Sequence, residues 1–64
     1  MTDNEIMTIM NTMKAYHDAL HFVTDLVTKC DKGTFSIDDI RTMIRNQCNV
    51  NEMLAKSTKI LLKQ

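Results

Sequence analysis

The sequence predicts an all-α fold, an antiparallel hairpin of two long helices. The 64 residues include no Pro and one Gly, a composition that permits long helices and lacks the turn residues of a sheet protein. In the first half, apolar or semi-apolar residues recur at alternating spacings of three and four, the a/d repeat of a helix that packs lengthwise on other helices. We call this repeat the a/d seam; its members are Ile6, Ile9, Met13, Tyr16, Leu20, Val23, Val27 and Cys30.

The first helix is expected over about residues 3–32. Thr2 can cap its N-terminus while Glu5, three residues later, bonds back to the Thr2 backbone, which makes a capping box. Lys32 near the end of the helix complements the helix dipole. Gly33 suits the left-handed conformation that commonly follows a helix, so we expect the helix to stop there.

The second helix is expected over about residues 37–63, after a turn at 33–36. Ser36 as N-cap and Asp39 three residues later form a second capping box. Three asparagines in the middle of this segment leave two alternatives: a helix that runs through, or a break near Asn49 that begins a third helix. Continuity is favoured because a continuous second helix would match the first in length.

Charge supports the hairpin. The first half of the chain is acidic and the second half is basic, which favours pairing of the two helices. A hairpin centred on Gly33 would also bring together three pairs of opposite charge, which select a register more than they add stability. These pairs are Asp25 with Arg41, Lys14 with Glu52, and Asp3 with Lys63. We therefore expect the second helix to fold back over the a/d seam.

The apolar surface of the first helix is too wide for one hairpin to bury. If exposed, Met7, Met10, Phe22 and Leu26 would form an apolar patch of the kind that soluble monomers avoid. A single domain of 64 residues is also marginally stable alone. We expect these four residues to form a partner or oligomer surface, most simply in a homodimer that makes a four-helix bundle.

The cations of the second helix could line a nucleic-acid-binding face. The candidates are Arg41, Arg45, Lys56, Lys59 and Lys63. The formal net charge of the chain is zero, and it has one Tyr and two Phe, whereas nucleic-acid surfaces usually combine excess positive charge with aromatic side chains. A solvated face that pairs with the acidic first helix is the preferred interpretation, with RNA or DNA binding as the alternative.

A metal site is a further candidate on the first helix. His17 and His21 have the i, i+4 spacing of a two-His metal pair, and soft thioethers precede them at Met7, Met10 and Met13. No third ligand is evident. Packing methionines and solvated or interface histidines are therefore the preferred interpretation, and no metal or cofactor is predicted.

No catalytic constellation is evident. Asp38 and Asp39 could be read as paired carboxylates and Ser36 as a nucleophile, but their place at a helix start explains all three. No base and orienting group surround a nucleophile. We predict that the protein is not an enzyme.

The two cysteines and the absence of targeting features predict a cytoplasmic protein with reduced thiols. Cys30 and Cys48 are far apart in sequence and fall where small buried residues are expected. The N-terminus lacks the pattern of a signal peptide, and no segment approaches the ~20 consecutive apolar residues of a membrane span.

Together these features favour a small non-enzymatic interaction protein that self-associates and binds a partner protein through helical surfaces. An adaptor, an inhibitor or an assembly factor of a bacterial or phage kind fits this description. The first alternative is an RNA- or DNA-binding bundle. The second is a bundle that binds a soft metal ion such as copper(I) through Met10 and His17.

Overall fold

The computed structural model describes residues 1–64 and is a two-helix hairpin. Helix α1 comprises Asp3–Lys32 and helix α2 comprises Ile37–Leu62. The hairpin measures 46 × 15 × 14 Å, the shape of two long helices packed side by side. The all-helical hairpin predicted from the a/d repeat is confirmed.

Both helices begin at the predicted capping boxes. The Thr2 hydroxyl accepts a hydrogen bond from the Glu5 N–H at 3.2 Å, and the Glu5 carboxylate accepts one from the Thr2 N–H at 2.9 Å. Ser36 and Asp39 repeat this exchange at the start of α2, at 3.2 Å and 3.0 Å. These bonds satisfy backbone N–H groups that have no partner within the first turn of a helix.

Acid is expected to weaken both capping boxes. The bond from the Ser36 N–H, assisted by Lys29, lowers the pKa of Asp39, and the bond from the Thr2 N–H lowers the pKa of Glu5. A carboxylate with a lowered native pKa stabilises the folded state at neutral pH. That contribution is lost as the pH falls below the ordinary values of 3.8 for Asp39 and 4.5 for Glu5 and then through their lowered native pKa values.

The isosteric substitution Asp39→Asn tests this expectation. It should flatten the dependence of the free energy of unfolding on pH between about pH 5 and pH 3, because Asn does not titrate. Urea unfolding followed by circular dichroism at a series of pH values measures the effect. Identical pH profiles for the wild-type chain and Asp39→Asn would contradict it.

Helix α1 ends at Gly33, the one residue of the chain with a positive φ. Its φ of 70° places it in the left-handed region. The Gly33 N–H donates to the Cys30 carbonyl at 3.1 Å, and the Thr34 N–H donates to the Lys29 carbonyl at 2.9 Å. These bonds satisfy carbonyls of the last turn, as expected for a helix that stops at a left-handed glycine.

The substitution Gly33→Ala is expected to lower the free energy of unfolding by about 1 kcal/mol. The loss would come from the backbone conformation alone, because a Cβ atom at Gly33 would meet no other heavy atom within 4 Å. Gly33→Asn should lower the free energy of unfolding by less than Gly33→Ala does, since Asn tolerates the left-handed region better than Ala. Urea unfolding at one fixed protein concentration compares the variants. Unchanged stability of Gly33→Ala would show that this conformation carries no strain.

Helix α2 is continuous through its asparagine-rich middle. Of the two predicted alternatives, the unbroken helix is correct, and no third helix begins near Asn49. The Gln47 amide donates to the Asn51 side-chain carbonyl at 3.3 Å, one turn further along the same helix. The amide side chains are thus accommodated without unwinding the backbone, and α2 reaches 26 residues against the 30 of α1.

The two helices pack through a stripe that lies beside the a/d seam. We call the contacting residues the inner stripes, and all of them are buried or half-buried. On α1 they are Glu5, Thr8, Thr12, Ala15, Ala19, Phe22 and Leu26. On α2 they are Asp39, Met43, Asn46, Val50, Met53, Ser57 and Ile60. The α1 stripe is centred on small side chains, which allow two helices to approach closely. Of the eight residues of the a/d seam, only Ile9 and Val23 are half-buried and the other six are exposed, so the expectation that α2 covers this seam is corrected.

The register of the hairpin also differs from the prediction. The Thr12 and Ser57 hydroxyl oxygens lie 2.8 Å apart, and Lys29 Nζ lies 3.4 Å from Asp39 Oδ1. Both contacts place the centre of the hairpin near the middle of the connecting segment Gly33–Ser36 and not at its first residue. As a result, none of the three predicted ion pairs forms: Asp25 with Arg41, Lys14 with Glu52, or Asp3 with Lys63.

The buried hydroxyl pair is expected to couple the two helices. Thr12 Oγ1 also lies 2.9 Å from the Thr8 carbonyl oxygen and 3.3 Å from that of Met53. Thr12→Val should lower the free energy of unfolding by about 1–2 kcal/mol, because the Ser57 hydroxyl loses a buried partner. In the Thr12→Val background, Ser57→Ala should then lower the free energy of unfolding by less than it does in the wild-type chain. A double-mutant cycle measures this coupling, and strictly additive losses would contradict it.

Candidate interaction surfaces

One side of the hairpin is apolar and uncovered. The groove between the helices on this side is lined by Met13, Tyr16, Leu20 and Val23 of α1 and by Ile44, Gln47 and Leu54 of α2. The a/d spacing extends this surface along both helices, because residues seven apart share a helix face. The extension adds Ile6 and Val27 on α1 and Ile37 and Leu61 on α2. We call these residues together the apolar face.

The side chains of the apolar face are too exposed to form a finished core. Leu20 exposes 55% of its surface and Met13 exposes 66%. The buried apolar residues of the chain are only Ala19, Leu26 and Val50. Covering apolar surface is worth about 25 cal/mol per Å². The single hairpin therefore leaves much of its potential hydrophobic stabilisation unrealised.

The opposite side of the hairpin carries polar side chains that are open to solvent, and we call it the hydrated side. Its groove is lined by Ala15, Asp18, Ala19, Phe22, Asn46, Asn49 and Val50. Asp18 and Asn49 are exposed there and can keep their contacts with water. A helix pair with one apolar side and one hydrated side is suited to packing on a single further layer of helices.

A polar pair interrupts the apolar face at the middle of α2. Gln47 lines the groove beside Tyr16 and Leu20, and its amide bonds to Asn51. The apolar residues Ile44 and Leu54 lie on either side of this pair along the helix. Polar residues at seam positions of packed helices fix register and oligomeric state at some cost in stability. Gln47 and Asn51 are placed where they could fix the register between two packed hairpins.

The structure divides the predicted partner surface of α1 into two parts. Met7 and Met10 expose 52% and 44% of their surface and lie on the outer edge of α1, away from α2. Phe22 is half-buried and Leu26 is only 6% exposed, because both belong to the inner stripe. Their expected exposure is therefore corrected. A role for Met7 and Met10 in binding a partner stays a prediction.

The predicted cations of α2 share one outer edge of the hairpin. All five are exposed: Arg41, Arg45, Lys56, Lys59 and Lys63. Their spacings of four, eleven, three and four residues keep them on one face of the helix. Asp38 pairs with Arg41 at 3.5 Å, and Glu52 has the same helical phase as the cations, so the charge of this basic edge is partly offset.

Two histidines lie on the outer edge of α1. The Nε2 atoms of His17 and His21 are 3.1 Å apart, and the two ring centroids are 4.4 Å apart. His17 Nδ1 lies 3.5 Å from Asp18 Oδ1. The structure contains no group of three or more His, Cys, Asp or Glu side chains that could hold a metal ion.

The remaining candidate residues either cap a helix or are more exposed than the sequence predicts. Ser36 and Asp39 are occupied in the capping box of α2. Cys30 and Cys48 are free and exposed, so the prediction that they are buried is wrong. The reason for Cys30 is that α2 packs beside the a/d seam to which this residue belongs.

Neither helix combines the length and the apolar character that crossing a membrane would require. Comparison of the chain with protein-family models, with curated proteins and with solved structures finds no match.

Proposed function

We propose that this chain is a non-enzymatic interaction protein that pairs with a second copy through the apolar face. The product would be a four-helix bundle that binds a partner protein through an outer edge. The observation that carries this proposal is the apolar face, a row of mostly exposed, large apolar side chains on one side of the hairpin that only Gln47 and Asn51 interrupt. Contiguous apolar surface of this kind marks interaction sites in soluble proteins.

The accessible area supports a second copy as the occupant of the apolar face. The hairpin exposes 5101 Å². A typical folded monomer of 7.4 kDa exposes about 4200 Å². The excess of about 900 Å² per chain is close to the about 800 Å² that each partner buries in a stable interface of standard size.

The shape of the apolar face also suits a second copy. The face follows both helices, so its partner must offer a matching surface along a length of 46 Å, which another hairpin does. In a symmetric pair that overlaps fully, the Gln47 and Asn51 amides of the two copies lie at the same level. They can then bond to each other instead of meeting apolar side chains. A formal net charge of zero adds no overall repulsion between copies.

The outer edge of α1 is the proposed site for a partner protein. In a bundle formed through the apolar face, this edge stays on the outside with Met7 and Met10 exposed. Methionine side chains are flexible and adapt to irregular apolar surfaces. An adaptor, an inhibitor or an assembly factor would use such an edge to hold its target.

The basic edge of α2 supports nucleic-acid binding as a second candidate function. Its five exposed cations extend from Arg41 to Lys63, about 33 Å along the helix. Phosphate contacts would make such binding weaken steeply with added salt. The offsetting carboxylates Asp38 and Glu52 and the small number of aromatic residues make this candidate the weaker one.

Affinity capture from the native host, with and without nuclease, tests the partner proposal. Three chains are compared: the wild type, Met10→Glu on the outer edge of α1, and Asn49→Glu on the hydrated side. A protein that is captured with and without nuclease by the wild type and Asn49→Glu, but not by Met10→Glu, supports the proposal. Equal capture by all three chains contradicts the proposed edge. Recovery of nucleic acid that Lys56→Gln and Lys59→Gln abolish supports the second candidate instead.

A further inference from the structure

We propose that His17 and His21 form a chelating site for one divalent transition-metal ion of the copper, nickel and zinc class. The site lies on the outer edge of α1 and does not depend on the function proposed above. Neither residue lines the apolar face or the hydrated groove. Metal binding and pairing of two copies are therefore compatible.

The distance between the two ring nitrogens fits a shared metal ion. Metal–imidazole bonds are about 2.0–2.1 Å long, so two Nε2 atoms 3.1 Å apart subtend an angle of about 100° at the metal. This angle lies between that of adjacent ligands in a square plane and that in a tetrahedron. Both His17 and His21 are exposed, so small rotations of the rings can direct the two lone pairs at one ion.

Asp18 favours the tautomer of His17 that a metal requires. Its Oδ1 atom lies 3.5 Å from His17 Nδ1. This contact is not a hydrogen bond, but a negative charge beside Nδ1 favours the tautomer that carries its proton there, which leaves Nε2 of His17 with a free lone pair. A carboxylate beside a metal-binding histidine helps to fix the tautomer and the orientation of the ring. In the absence of metal, His21 would then donate its Nε2–H to His17 Nε2 across the 3.1 Å contact.

The backbone of α1 places the two histidines one turn apart, within reach of a shared ion, before any ion binds. His17 and His21 lie one turn apart near the middle of the unbroken helix α1, which spans Asp3–Lys32. Little further ordering is needed to bring both nitrogens to one ion, which favours chelation. Two protein ligands leave the other coordination positions open to water or to a donor from another molecule.

Nitrogen ligands favour divalent ions over the copper(I) considered from the sequence. Imidazole suits zinc, copper(II) and nickel, whereas thioethers select copper(I). Met13 lies on the apolar face, where a second copy is proposed to cover it. Only neutral imidazole binds a metal, so uptake must fall as the pH is lowered.

The test is calorimetric titration of the untagged full-length chain with nickel chloride and with zinc chloride in a buffer that does not bind metals. Cys30→Ser and Cys48→Ser are introduced in every variant, because exposed thiolates also bind these ions. Both positions are exposed, and circular dichroism verifies that the helices are retained. We expect one ion per chain, with a dissociation constant well below the millimolar range.

Matched variants locate the site. His17→Gln and His21→Gln should each weaken binding by about tenfold or more, since each removes one arm of the chelate, and Asp18→Asn should weaken it less. Lys14→Gln, on the same edge, should leave binding unchanged. In nuclear magnetic resonance spectra, the added metal should shift or broaden the ring signals of both histidines. Absence of binding to the chain with both histidines intact, or equal binding by the double variant His17→Gln/His21→Gln, overturns the proposal.

Discussion

Replacing Leu20 by Glu is expected to separate the proposed pair of chains into monomers and to raise its dissociation constant by about 100-fold or more. Leu20 exposes 55% of its surface in the single hairpin, so a glutamate there stays hydrated and the hairpin is preserved. In the pair, both copies would bury this carboxylate. Burying an unpaired charge costs several kcal/mol, which is enough to separate the chains.

Asn49→Glu is the matched control for this experiment. Asn49 lies at the same level of the hairpin as Leu20 but lines the hydrated groove, so the same new charge remains in water. The dissociation constant should then be unchanged. Sedimentation velocity over a dilution series measures both variants, and circular dichroism verifies that each stays helical. Equal association of Leu20→Glu and Asn49→Glu would show that the apolar face is not the contact between copies.

The substitution Leu26→Ala is expected to lower the free energy of unfolding by about 2–4 kcal/mol. Leu26 is 6% exposed and lies between the helices, so its truncation leaves a cavity at their contact. A loss of this size is a large share of the roughly 3–10 kcal/mol expected for 64 residues. The expected loss of stability is large because the core is small: only three apolar residues of the chain are buried.

Leu62→Ala removes the same atoms from a site that is 80% exposed at the end of α2. Its stability should stay within about 0.5 kcal/mol of the wild-type chain. Urea unfolding at one protein concentration, followed by circular dichroism, compares the two variants. Similar losses for Leu26→Ala and Leu62→Ala would mean that the inner stripe does not hold the hairpin together.

The features that depend on local chemistry were predictable from the sequence. The hydroxyls of Thr2 and Ser36 and the acids three residues later specify both helix starts through bonds within one turn. The stop at Gly33 depends on a conformation that glycine adopts without strain. None of these features requires knowledge of which surfaces the helices bury.

The choice of packing surface was not predictable in the same way. Each helix carries two adjacent stripes with heptad spacing, and the spacing alone does not say which of them faces the other helix. The larger side chains pointed to the a/d seam, but the hairpin closes through small ones such as Thr12, Ala15 and Ala19. These small residues also recur at spacings of three and four, and that recurrence is the sequence feature that indicates their packing stripe. Phe22 and Leu26 continue this spacing, which explains why they lie between the helices and not on the surface.

The register error and the histidine contact have different physical reasons. Gly33 is only the first of four connecting residues, so a hairpin centred on it has a shifted register in which every predicted ion pair is displaced. For His17 and His21, the sequence indicates that the rings are close. The contact between their Nε2 atoms depends on side-chain rotamers, which the spacing leaves open.

The measurement that most directly tests pairing through the apolar face is sedimentation equilibrium of the unmodified chain at micromolar concentrations. A mass of twice 7.4 kDa, decreasing on dilution, is the expected result. A mass of 7.4 kDa at every concentration would contradict pairing, and the apolar face would then be a candidate binding site for a different protein.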